Sequence, residues 1–172
     1  MSKKDLFAPS IVLVCICLVA ALLLAFTYQV TAPTIAENAI KAANEARNEV
    51  MPEANGEFEQ VEIAELAANV DEVYKATNGA GYVITTSTKG FGGAIKVMTA
   101  LDNDGNILKV KVTDASDETP GLGSKTTTEA WFTDQFAGKS EVTDYQAITG
   151  ASFSSRGVYN GVAAALAQFA AL

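Results

Sequence analysis

A stretch of eighteen residues without a charged side chain lies near the N-terminus and strongly limits what this chain can fold into. It runs from Ile11 to Tyr28. As an α-helix it is about 27 Å long, close to the thickness of the hydrocarbon layer of a bilayer. We therefore predict a transmembrane helix over residues 11–30, after a cytoplasmic segment of residues 1–10. A cleaved signal peptide is less favoured, because the stretch is long and no clear Ala-x-Ala site follows it.

Charge indicates on which side of the membrane the remaining chain lies. Lys3 and Lys4 stand before the apolar stretch. Cytoplasmic flanks of membrane helices carry an excess of Lys and Arg, so the N-terminus is expected in the cytoplasm. The sequence therefore predicts a single-pass protein of the cell membrane whose C-terminal domain is extracytoplasmic.

Composition narrows the chemistry of that domain. The chain has 12 Lys and Arg against 20 Asp and Glu, a net charge of −8, and no basic stripe, which argues against a nucleic-acid partner. It has no histidine, the commonest metal ligand and usual general base. Its two cysteines, Cys15 and Cys17, lie inside the apolar stretch. We predict no metal site and no catalytic residue.

A second helix is predicted over residues 31–52, between the membrane and the exported domain. Pro33 predicts a break in the chain. Thr34 and Glu37 then have the spacing of a capping box, in which each side chain bonds to the backbone N–H of the other residue. Pro52 predicts the end of this helix.

Residues 53–172 are predicted to form an α+β domain, a small mixed or antiparallel sheet with helices packed against it. Residues 94–101 alternate between apolar and polar, and a turn over 102–106 predicts a hairpin with a partner strand. Helical spacing is seen in residues 128–137, with aromatic side chains predicted to be core, and in residues 156–172. Strands are also predicted from residue 73 and over 81–86, and a short helix near 63–66.

Three glycine-containing loops are the candidates for binding chemistry. They are residues 89–94, 117–125 and 148–156. Backbone N–H groups without bulky neighbours can approach a phosphate or a flat ring closely. The third loop leads directly into the C-terminal helix, whose N-terminal end attracts an anion. Each loop alone is more often an ordinary turn or helix cap.

Taken in order, the three loops resemble a known family. The series K-G-F-G-G, D-E-T-P-G-L-G and T-G-A-S-F-S-S is similar to the FMN-binding domain of two related electron-transport subunits. These are the G subunit of the Rnf ion-translocating ferredoxin:NAD oxidoreductase and the C subunit of the sodium-pumping NADH:quinone oxidoreductase. The N-terminal helices also match, so the resemblance covers nearly the whole chain. The compact loops are more similar to the Rnf protein.

The resemblance implies a covalent FMN. In these families the FMN phosphate forms a phosphodiester with the last hydroxyl of a motif close to [ST]-G-A-[ST]-x-[ST], which here is Ser154. Threonine is usual at that position. Gln146 also stands where an acidic residue is common, and Ser116 where many relatives have histidine. The other cofactor-binding residues implied are four around the phosphate, Thr149, Gly150, Ala151 and Ser152, and five near the ring and ribityl chain, Glu118, Thr119, Gly121, Leu122 and Gly123.

The function implied is electron relay within a larger oxidoreductase that also translocates ions. The sequence shows no paired nucleophile and base, so the flavin supplies the redox chemistry and the protein places it. The expected partners are the other subunits of the Rnf-type complex, including a second flavin-bearing membrane subunit.

Other functions remain open at this stage. One is the equivalent subunit of the quinone-reducing relative, and another is a membrane-tethered sensor with non-covalent FMN. A pilin-like structural protein would explain the helix and the α/β domain without a cofactor. It would not explain the three loops, and the N-terminus lacks a prepilin-like Gly-Phe junction with a Glu soon after it. Ser154 could also serve only as the cap of the C-terminal helix.

Overall fold

The computed structural model describes the backbone of residues 3–172 and the side chains from residue 9 onward. The chain divides into two compact units, residues 1–42 and residues 43–172.

From residue 3 onward the first unit is helical and belongs to helix α1, which extends from Lys3 to Val50. From Pro9 onward, α1 is the one helix in the described residues that is long and apolar enough to cross a membrane. The predicted break at Pro33 is wrong, because α1 continues through this residue. The capping box is wrong for the same reason, since Thr34 lies inside α1. A proline removes one backbone hydrogen bond, which a long helix can tolerate, especially near a membrane.

The second unit is built on one antiparallel sheet, whose five strands are paired in the order in which they occur in the chain. The α+β prediction is confirmed. The short 3-10 turn Pro52–Ala54 follows α1, which ends before Pro52 as expected. The remaining elements are strands β1 Phe58–Gln60, β2 Val70–Ala76, β3 Tyr82–Lys89, β4 Ala94–Leu101 and β5 Ile107–Asp114, a 3-10 turn Gly123–Thr127, and helices α2 Ala130–Asp134 and α3 Ser152–Phe169.

The hairpin of β4 and β5 turns over residues 102–106, as predicted. One carboxylate oxygen of Asp102 accepts hydrogen bonds from the N–H groups of Asp104 (2.9 Å) and Asn106 (2.8 Å). The other oxygen accepts one from the Asn106 amide (2.8 Å). Asp side chains commonly hold turns in this way, by bonding to backbone two residues further on.

The two faces of the sheet are covered by different elements. On one face, Ile95, Val97 and Leu101 are buried against α3, as the alternation in β4 predicts. On the other face, Val83 and Met98 belong to a second apolar cluster. This cluster also contains Ala46, Val50, Met51, Ala54, Ala76 and Ala100, which brings in the last turns of α1.

The short helix predicted near residues 63–66 is absent, and that prediction is wrong. The segment between β1 and β2 is irregular. The side chain of Ile63 packs against the α3-side core, and the N–H of Ala67 donates to the Gln168 side chain (2.6 Å). A few residues cannot hold a helix by propensity alone, so these tertiary contacts determine the conformation.

The aromatic residues near α2 are partly confirmed as core. Phe132 and Phe136 are completely buried and meet edge to face, with ring centroids 5.9 Å apart. Trp131 is exposed, and its indole N–H donates to Glu129 (3.1 Å). Helix α2 has only five residues, too few to bury aromatic side chains all round.

Gly161 sets how closely α3 approaches the sheet. A Cβ at this position would lie 2.8 Å from the Thr86 hydroxyl and 3.1 Å from a methyl carbon of Val97. We expect Gly161→Val to lower the free energy of unfolding by about 1–3 kcal/mol, because the crowded core cannot yield freely. Ala167→Val, at an exposed position of the same helix, should cost much less. Thermal melts of the full-length protein in detergent compare the two, and equal losses would contradict the close packing assigned to Gly161.

Candidate functional site

The three glycine-containing loops meet at one end of the second unit. Residues 90–93 join β3 to β4, residues 117–123 follow β5, and residues 148–151 precede α3. The end of β3, next to the first loop, is held to α3, because the Thr88 hydroxyl donates to the carbonyl of Gly157 (2.6 Å). Residues that are far apart in the chain therefore form one site.

Glu118 joins all three loops through hydrogen bonds. One of its carboxylate oxygens accepts from the N–H groups of Gly92 (2.9 Å) and Gly93 (3.3 Å). The other accepts from the hydroxyl of Ser154. Both ends of this second contact are buried, since Glu118 is 3 % exposed and Ser154 is 2 % exposed. No paired nucleophile and base is visible in the sequence, whereas the structure places a hydroxyl against a carboxylate.

The environment of Glu118 keeps it ionised. Burial alone would raise the pKa of its carboxyl group. The hydrogen bonds from Ser154 and from the backbone N–H groups of residues 91–93 outweigh burial, so the pKa lies below its usual value. Glu118 is thus a carboxylate at neutral pH and acts only as an acceptor.

The glycines of the first two loops allow this close approach. A Cβ at Gly92 would lie 2.0 Å from the carbonyl oxygen of Asp117. A Cβ at Gly123 would lie 2.4 Å from the Glu118 carboxylate and 2.6 Å from the Ser154 hydroxyl oxygen. A side chain at Gly92 would push the first two loops apart, and one at Gly123 would displace the side chains of Glu118 and Ser154.

A cavity of about 190 Å³ opens between the second and third loops. Seven of the ten residues expected to bind cofactor line it: Thr119, Leu122, Gly123, Gly150, Ala151, Ser152 and Ser154. Glu118 lies beside the cavity, where its carboxylate accepts a hydrogen bond from the hydroxyl of Ser154. Thr149 and Gly121 are exposed and do not belong to the lining. Gly121 has a φ of +74°, which strains any other residue, so its substitution is a poor probe of ligand contact.

Two aromatic residues of the site were not selected from the sequence. Phe91 and Phe153 also line the cavity, with ring centroids 6.1 Å apart. They are 68 % and 65 % exposed and contact each other, so together they form an exposed apolar patch of the kind that marks ligand-binding sites. The available signal was the placement of each phenylalanine inside a glycine- or serine-rich loop.

Ser154 does not cap α3. The helix begins at Ser152, and the residue at its N-cap position, Ala151, has no side chain that could accept a hydrogen bond. The first N–H groups of a helix have no partner within the helix, so this end of α3 suits an anion. The neighbouring Ser155 makes a different contact: its hydroxyl oxygen accepts a hydrogen bond from the N–H of Ile148 (3.0 Å).

These residues fit a phosphate ester of an aromatic ring. The uncapped start of α3 offers donors to a phosphate, and Ser154 offers a hydroxyl at the same place. The exposed side chains of Phe91, Leu122 and Phe153 offer apolar surface to a flat ring.

Comparison with known proteins gives the family. A sequence model described as an FMN-binding domain matches residues 90–167, and one described as the RnfG N-terminal region matches residues 1–50. The G subunit of the Na⁺-translocating ferredoxin:NAD⁺ oxidoreductase complex of Acetobacterium woodii is 35 % identical, over 92 % of this chain and 89 % of that protein. The chain belongs to the G-subunit family of Rnf complexes. The resemblance inferred from the three loops is thereby confirmed.

Other members of this family are similar over almost their whole length. The G subunit of the proton-translocating ferredoxin:NAD⁺ oxidoreductase complex of Clostridium ljungdahlii is 27 % identical, over 96 % of this chain and 92 % of its own. The G subunit of the ion-translocating oxidoreductase complex of Methanosarcina acetivorans is 29 % identical, over 95 % and 94 %. Family membership and the FMN-binding domain favour a flavoprotein over the pilin-like alternative.

Proposed function

We propose that this chain is an electron-transfer flavoprotein subunit of a membrane-bound, ion-translocating ferredoxin:NAD oxidoreductase, and that its FMN is attached covalently to Ser154. The observation that carries the proposal is the position of Ser154, which lines the cavity where the three loops meet and whose hydroxyl donates a hydrogen bond to Glu118. The relatives named as subunits of such complexes, together with the match to an FMN-binding domain, support the same function.

Bound FMN would supply the redox chemistry, accepting and passing on electrons through its ring. The protein's own part is to hold and orient it. A phosphodiester at Ser154 would lie at the start of α3, where the N–H groups and the helix dipole stabilise its negative charge. Phe91 and Phe153 would flank the ring and limit its contact with water.

The partners would be the other subunits of the complex, including a second flavin-bearing membrane subunit. The lining residues Phe91 and Phe153 are exposed, so a flavin in the cavity would lie near the surface, which suits electron transfer between carriers. Family membership and the apolar α1 indicate a membrane location.

Fluorescence of the denatured protein tests the proposal. Full-length protein produced together with a flavin transferase is run on a denaturing gel. Covalent flavin should remain with the band. Flavin that is bound before denaturation but lost from the band during it would indicate a protein with non-covalent FMN. Protein that never carries flavin would contradict the proposed function altogether.

The orientation of the domain is tested separately by protease. Because Lys3 and Lys4 precede the apolar stretch, we expect residues 43–172 to be cleaved from outside spheroplasts and protected in inverted vesicles. A cytoplasmic protein bound to the same membrane serves as the control and should show the opposite pattern. Protection in spheroplasts with cleavage in inverted vesicles would reverse the orientation.

A further inference from the structure

The contact between Ser154 and Glu118 has chemical consequences that go beyond holding a flavin. The Ser154 hydroxyl donates its only proton to the carboxylate of Glu118, which leaves the lone pairs of its oxygen for other contacts. Two serine residues line the cavity, Ser152 and Ser154, and Ser152 is the more exposed. A hydrogen bond to a buried carboxylate is what distinguishes Ser154.

We propose that Glu118 prepares Ser154 for flavin attachment by orienting its hydroxyl and accepting its proton. This inference rests on the proposed attachment of FMN to Ser154. The donor would be a flavin dinucleotide, whose pyrophosphate contains an activated flavin phosphate. The Ser154 oxygen forms a bond to the flavin phosphorus, the pyrophosphate P–O bond breaks, and the nucleoside monophosphate leaves. The proton of the hydroxyl passes to Glu118 and then to solvent.

The hydrogen bonds of Glu118 hold its carboxylate ready for this step. One oxygen is fixed by the N–H groups of Gly92 and Gly93, so the other is directed at Ser154. Once the ester has formed, Ser154 has no proton to donate. This contact can therefore act only before the ester forms.

The variant Glu118→Gln separates this role from a purely structural one. An amide has one accepting oxygen and one donating NH₂ group. The oxygen must face Gly92 and Gly93, which donate, so the NH₂ group faces Ser154. The loops stay joined, but the hydroxyl loses its proton acceptor. The variant also removes a negative charge near the incoming phosphate, which by electrostatics alone would speed attachment.

A matched control removes the charge of the neighbouring residue. Asp117 is an exposed carboxylate in the same loop, and among the described residues it has no hydrogen bond to Ser154 or Glu118. Asp117→Asn should label at the normal rate or slightly faster. If it slowed labelling as much as Glu118→Gln does, loss of loop charge would be the cause and the proposal would be overturned.

The experiment follows covalent labelling of full-length apo-protein in detergent, using flavin adenine dinucleotide and a flavin transferase. We expect Glu118→Gln to label about 100-fold more slowly than the unchanged protein, the typical contribution of a proton acceptor. The ratio of the two rates should shrink as the pH rises, because hydroxide replaces the missing acceptor. An unchanged rate, or a slower rate with a ratio independent of pH, would overturn the proposal.

A second variant keeps the test decisive if Glu118→Gln does not fold. Glu118→Asp retains a carboxylate but draws it back from Ser154, so we expect slower labelling with a rate ratio that does not change with pH. Labelling at the unchanged rate would show that the contact is not needed. If the unchanged protein is not labelled at Ser154, the proposed function fails. If it is labelled there and both variants match it, only the inference about Glu118 fails.

Discussion

Replacing Ser154 by alanine should abolish covalent flavin while the domain stays folded. The variant removes the hydroxyl of a residue that lines the cavity, and no ester can form without it. Glu118 keeps its bonds to Gly92 and Gly93, so the loops remain joined. The loss of one buried hydrogen bond to a charged group should lower the free energy of unfolding by about 1–3 kcal/mol. Denaturing-gel fluorescence measures the flavin, and a thermal melt measures the fold.

The neighbouring hydroxyls provide the controls. Ser152→Ala should retain covalent flavin, because this residue is exposed and lacks the contact with Glu118. Ser155→Ala should also retain flavin but lower stability, since it loses the hydrogen bond from Ile148. Full labelling of Ser154→Ala, or loss of the label only in Ser152→Ala, would assign the attachment to a different residue.

Adding a single methyl group at Gly123 should lower the amount of covalent flavin almost as much as Ser154→Ala does. In Gly123→Ala the new Cβ would crowd both the Glu118 carboxylate and the Ser154 hydroxyl oxygen, at 2.4 and 2.6 Å. Contacts this short force the side chains to move, so the hydroxyl is turned away from the cavity. We expect covalent flavin to fall at least tenfold, a change of about 1.4 kcal/mol in the barrier to attachment.

This substitution is a sharper probe than one at Gly121. Gly121 has a φ of +74°, and a Cβ there would meet no protein atom within 4 Å, so any effect could come from backbone strain alone. The matched control is Thr127→Ala, an exposed position at the end of the 3-10 turn that Gly123 begins. It should label normally. Normal labelling of Gly123→Ala as well would show that the site tolerates crowding and would contradict the geometry assigned to Ser154.

The sequence predicts those parts of the fold that are determined locally. The turn at Asp102 depends on a side chain bonding to its neighbours, and the alternation in β4 depends on one buried face, so both are visible in the pattern. The predicted break at Pro33 is wrong, because the helical residues on both sides of this proline continue the helix despite the lost hydrogen bond. The helix predicted near Ile63 is wrong for a related reason, since contacts with α3, which is distant in the chain, determine the conformation of this segment.

The site could be located from the sequence, but its chemistry could not. Glycine and hydroxyl residues identify three loops, and the order of these loops along the chain resembles that of the FMN-binding family. The contact of Glu118 with Ser154 joins residues 36 positions apart, and no periodic pattern in the sequence predicts it. The exposure of Phe91 and Phe153 was hidden for the same reason, because burial is a property of the folded chain.

The most direct test of the account is to find which atom carries the flavin. Trypsin should release residues 140–156 as one peptide, because Lys139 precedes it and Arg156 ends it. Fragmentation of this peptide by mass spectrometry, after production with a flavin transferase, locates the added mass. We expect the mass of FMN less one water on Ser154. The same mass on Ser152, on Ser155 or on Thr149, or an unmodified peptide, would contradict it.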